Sequence, residues 1–65
     1  MKLKDLRKAK HLTQKELSML CNVSQGKICE YEQGKSLPRL DTAAKLATAL
    51  DCSLDELAGF TKYAG

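Results

Sequence analysis

Between Thr13 and Lys35 the chain carries two helix-start signals and two helix-stop signals, and this tight punctuation limits the possible folds more than any other feature. Thr13 followed by Glu16 is a capping box: the threonine hydroxyl and the glutamate carboxylate each satisfy a backbone N–H that a first helical turn leaves unpaired. Leu12 before the cap and Leu17 at the fourth helical position form a hydrophobic staple, which fixes the angle at which the chain enters the helix. Asn22 tolerates the left-handed conformation that ends a helix, and Ser24 caps the next one. Gly34 stops that second helix. Two helices this short, joined by so few residues, cross steeply, and such a pair can present its second helix to the major groove of DNA.

With 65 residues the chain has room for a single domain, expected to span 1–65, and domains of this size bury only about 60% of their unfolded surface. Function therefore has to sit on the outside. No apolar stretch approaches the roughly 20 residues needed to cross a membrane, so no membrane role is expected. The basic start Met1-Lys2-Leu3-Lys4 lacks a following apolar run, and a cytoplasmic location is expected. Cys21, Cys29 and Cys52 form no C-x-x-C pair, and His11 is the one histidine, so neither a metal site nor a cofactor is expected. Cys21 and Cys29 read as small apolar core residues in a reducing compartment.

Everything regular in the sequence has helical period, which makes the expected fold class all-α. A first helix ends near His11, with Leu3, Leu6, Arg7 and Lys10 on one side and Lys4, Lys8 and His11 turned away. The second, about 13–22, buries Leu17 and either Leu20 or Cys21, with Val23 beyond it. In the third, capped by Ser24, Ile28 and either Tyr31 or Glu32 point to the core. Gln25, Gly26, Lys27 and Glu30 fall on its exposed side. Pro38 excludes helix at the residue before it, so Ser36-Leu37-Pro38 is an extended connection. A fourth helix has Leu40, Ala43, Ala44, Ala47 and Leu50 as its inward stripe, Leu46 at one edge, and Asp41 near its positive end. Ser53-Leu54-Asp55-Glu56 is a second capping box, opening a short fifth helix that Gly59 ends.

Charge is unevenly spread. Residues 1–39 hold nine Lys/Arg against four Asp/Glu, a net of +5, and residues 40–65 hold two against four, a net of −2. A basic half that flanks the two-helix unit favours nucleic acid as partner. The third helix does not supply the attraction itself: residues 24–32 carry Lys27 against Glu30 and Glu32, a net of −1.

The run from Leu12 to Gly59 resembles the Cro/CI-type helix-turn-helix repressors, the XRE family. The resemblance rests on Leu12-Thr13-Gln14 with Glu16-Leu17, Val23-Ser24, Ile28, Tyr31-Glu32, Gly34-Lys35, Pro38, and Ala49-Leu50 leading to Ser53-Leu54-Asp55-Glu56-Leu57. It implies a compact five-helix bundle of the lambda-repressor-like type, with the helix-turn-helix at about 13–32 and the third helix in the major groove. Carried over by position, Gln25, Gly26, Lys27 and Glu30 face the bases. Gln14 lies at the start of the second helix near a phosphate, and Gly34 and Lys35 meet the backbone after the third. The resemblance also implies an ion pair between Arg7 and Glu32.

Departures from the family pattern carry their own expectations. Asn22 replaces a common Gly, and Gly26 replaces a common Ser or Thr. Arg39 replaces a common Ser cap, exchanging a helix cap for a phosphate contact, and Lys15 joins the basic flank. Met19, Leu20 and Leu37 put apolar groups where the family is usually polar, so they extend the core or mark a partner surface. Glu30 facing DNA must accept from a cytosine amino group or be repelled.

These readings converge on a sequence-specific DNA-binding transcriptional regulator, a repressor acting as a homodimer on a palindromic operator, and not on an enzyme. Leu57 and Phe60 are the candidate dimer residues, while Leu54 reads as core. Two other classes share the fold: an antitoxin-type module whose second partner is a toxin protein, and a helical module that binds protein and not DNA.

Overall fold

The computed structural model describes residues 1–59. Among them are five helices: α1 (Leu3–Ala9), α2 (Gln14–Cys21), α3 (Gln25–Gln33), α4 (Leu40–Ala49) and α5 (Leu54–Ala58). Three begin on hydroxyl caps. Thr13 Oγ1 accepts from the Glu16 N–H at 3.0 Å while the Thr13 N–H donates to Glu16 Oε1 at 2.8 Å. Ser53 and Glu56 repeat this reciprocal arrangement at 3.1 and 2.9 Å. Ser24 Oγ accepts from the Lys27 N–H. Arg39, before α4, makes no side-chain cap, and Asp41 occupies that helix's first turn.

Left-handed residues close the helices. Asn22, Gly34 and Gly59 do so where expected, and His11 and Asp51 join them. At His11 the N–H bonds the Lys8 carbonyl and the next N–H, of Leu12, reaches back to the Arg7 carbonyl. Asp51 and Cys52 close α4 in the same way on Thr48 and Ala47, as do Gly34 and Lys35 on Tyr31 and Glu30. In each case the two bonds satisfy carbonyls that a helix end leaves open. This closure ends α1 at Ala9, two residues short of the expected boundary, because His11 takes the left-handed place.

One core joins all five helices: Leu3, Leu17, Cys21, Ile28, Tyr31, Leu46, Ala47, Leu50 and Leu57. α2 packs on α3 and α4, α4 on α5, and α1 on α3 and α5. Leu6 and Leu12 pack against the core from either side of the α1 closure. Cys21, not Leu20, is the buried member of its pair, and Tyr31 and Glu32 both turn inward. Cys29 is only half-buried, which corrects its expected core role; it accepts a hydrogen bond from Gln33 Nε2. Burial, helped by the charges of Glu56 and Asp51, pushes the Cys52 thiol up from its ordinary value.

The inward face of α4 is a second correction. It runs through Ala43, Leu46, Ala47 and Leu50, while Leu40 and Ala44 are exposed. Leu46 is the centre of the stripe and not its edge. With alanine at so many positions the sequence supports two adjacent stripes, and burying both large residues of the helix's second half, Leu46 and Leu50, selects this one.

Candidate nucleic-acid interface

α2 and α3 are joined by Asn22-Val23-Ser24. Asn22 at φ 58° reverses the chain, and its N–H bonds the Ser18 carbonyl. Ser18 Oγ donates to the Val23 carbonyl, and Val23 packs on the core. The turn is thus held from both sides, which sets the angle between the two helices.

At the start of α3, Gln25, Gly26 and Lys27 are exposed. A Cβ built on Gly26 would meet nothing within 4 Å. The folded chain therefore has no packing requirement for glycine there. Glu30, one turn on, is half-buried and engaged: Lys27 Nζ lies 3.6 Å from its Oε1, and Ser36 Oγ donates to the same oxygen at 3.3 Å. Its negative charge is partly balanced within the chain, and Oε2 has no hydrogen-bond partner among the described residues. Lys15 at the start of α2, Gly34 and Lys35 after α3, and Arg39 before α4 are all exposed.

Behind this surface sits a buried charge network. Arg7 Nε donates to Glu32 Oε2 at 2.6 Å and Nη2 to Oε1 at 3.1 Å, the two-pronged geometry that matches guanidinium to carboxylate. The side chains keep 10% and 4% of their surface exposed, so both charges are largely out of water. Arg7 Nη1 also donates to the Leu12 carbonyl at 2.8 Å, and Gln14 Nε2 donates to Glu32 Oε1 at 3.0 Å. One carboxylate thus ties α1, the entry of α2 and the end of α3 together. Burial is the largest influence on Glu32 and favours its neutral form. The hydrogen bonds from Arg7 and Gln14, with the charges of Arg7 and Lys4, outweigh it and hold the carboxyl below its ordinary value. For Arg7 the hydrogen bond to Glu32 dominates and raises its value.

The Gln14 bond to Glu32 and the Ser36 bond to Glu30 had no signature in the sequence, since each joins residues on different segments. The dimer candidates are redistributed as well. Leu57 is 2% exposed and belongs to the core, whereas Leu54, expected inside, is 41% exposed. The Ser53 cap places Leu54 at the rim of α5 and turns Leu57, three residues on, inward. Phe60 lies outside the described residues. Leu54 shares an apolar groove with Met1, Leu37 and Leu40.

A short helix pair crossing through a capped turn, with the first turn of the second helix exposed and basic residues on its flanks, defines a helix-turn-helix fold. The chain belongs to the helix-turn-helix family, which it matches over residues 3–57. This is the family that the resemblance in the sequence implied. Over 58 residues it is 36% identical to the Cryptic phage CTXphi transcriptional repressor RstR of Vibrio cholerae serotype O1 (strain ATCC 39315 / El Tor Inaba N16961). The similarity covers 89% of this chain, which spans about half, 52%, of that relative's length.

Proposed function

We propose that the chain is a sequence-specific DNA-binding module of a transcriptional repressor, reading a palindromic operator as a homodimer with α3 in the major groove. The exposed first turn of α3, flanked by Lys15, Lys35 and Arg39, carries this reading. Gln25, Lys27 and Glu30 contact base edges, Gly26 lets the helix come close, and Gln14, Lys15, Gly34, Lys35 and Arg39 hold the phosphates. This is the division in which backbone contacts position and base contacts specify.

Site selection from a random DNA pool, followed by a salt series, tests it. Gln25→Ala is expected to cost about 1–3 kcal/mol on the selected site and little on random DNA. Lys35→Ala is expected to weaken all DNA alike and make the salt dependence shallower by about one phosphate contact. Unchanged site preference in Gln25→Ala would remove the base-reading role. A further protein partner, such as a toxin, is favoured by Met19 and Leu20 on α2, which are 75% and 62% exposed. Met19→Lys with Leu20→Lys should then abolish capture of that partner while sparing DNA binding.

A further inference from the structure

Glu32 sits between two donors of different kinds: the guanidinium of Arg7, which belongs to the scaffold, and the amide of Gln14, at the first position of α2. A carboxylate only accepts hydrogen bonds, so the Gln14 side chain must turn its nitrogen, not its oxygen, toward Glu32. The amide orientation is thereby decided by chemistry. One N–H is occupied, and the carbonyl Oε1 and the second N–H have no hydrogen-bond partner among the described residues. We infer that Glu32 is a positioning residue for Gln14, fixing which polar edge of this side chain the start of α2 offers to DNA.

Two N–H groups of Arg7 hold Glu32, and the Leu12 carbonyl in turn holds the Arg7 guanidinium, so the carboxylate that bonds the Gln14 amide is itself fixed in place. A free glutamine side chain must lose its rotamer freedom when it binds. One held in advance loses less, and it presents a donor and an acceptor in fixed relation. This inference rests on the DNA-reading role proposed above and adds to it the origin of the Gln14 geometry.

Two measurements test it. In the free protein, the Gln14 side-chain amide should give nitrogen and proton resonances shifted away from those of exposed glutamines, and Glu32→Gln should move them. Resonances at the exposed position in the parent chain would overturn the inference. On selected DNA, Gln14→Ala should lower affinity at least about fivefold in the parent chain and less than about twofold in the Glu32→Gln background. Equal losses in both backgrounds would also overturn it, because a merely structural Glu32 gives additive effects. If Glu32→Gln does not fold, Arg7→Met combined with Glu32→Met removes both charges of the pair and serves as the background instead. A parent chain without salt-sensitive DNA affinity would overturn the proposed function, and with it the display to DNA, whereas the resonances report on the positioning bond separately.

Discussion

Gly26 lies in the first turn of α3, where an alanine would favour the helix by up to about 1 kcal/mol. Space does not demand the glycine, since a Cβ there meets nothing within 4 Å. The helix thus forgoes a small stabilisation at the point proposed to face DNA. Gly26→Ala is expected to raise the melting midpoint by a few degrees and, if α3 approaches DNA as proposed, to weaken binding to the selected site. A variant that gains stability and binds as tightly as the parent would show that the missing side chain serves no close approach. Glu30 has a different position. Its bonds to Lys27 and Ser36 reduce the repulsion an acid on this face would cause, while leaving one oxygen to accept from a cytosine amino group.

At the scale of helices, the Arg7–Glu32 pair joins α1 to α3, and its loss should be felt throughout the fold. Removing one partner leaves a charge buried and uncompensated, a cost of about 3–5 kcal/mol, a large share of what a small domain has. Thermal unfolding of Arg7→Ala and Glu32→Ala measures it, and melting like the parent would place the pair in solvent. The pH dependence has a definite sign. Because the folded Glu32 carboxyl is held below its unfolded value, its contribution is complete above the ordinary carboxylate value of about 4.3. It is lost as pH falls through the lower folded value. Asn22 belongs to this scale too, since its φ of 58° is a conformation glycine adopts at lower cost. Asn22→Gly should stabilise the turn by about 1 kcal/mol or less, read as a small rise in midpoint, without altering site preference. The hydroxyl caps and three of the five closures were legible in the sequence because such signals are local. Those at His11 and Asp51 were not, since neither residue marks a left-handed position by type alone. The inward face of α4 was also misread, because packing partners far along the chain choose between stripes that alanine leaves equivalent.

Across the whole molecule, positive charge gathers in residues 1–39 and negative charge in 40–65, so the part bearing α2 and α3 is drawn to phosphate and the remainder is not. One short reading helix reaches few base pairs, whereas a two-fold pair reads two half-sites about 34 Å apart. The apolar surface at Met1, Leu37, Leu40 and Leu54 lies beside α5, and the exposed first turn of α3, proposed to face DNA, is not part of its lining. Pairing through this region, as proposed, would let both chains keep the first turn of α3 exposed. Leu54→Lys puts a charge at the rim of α5, at a side chain already 41% exposed, so the fold should survive while pairing suffers. Sedimentation at saturation on a palindromic site should find two parent chains per duplex, and Leu54→Lys should bind that site more weakly with a half-site affinity close to the parent's. One parent chain per palindromic duplex at saturation would reject the dimer, and an unchanged Leu54→Lys would move the contact away from this groove.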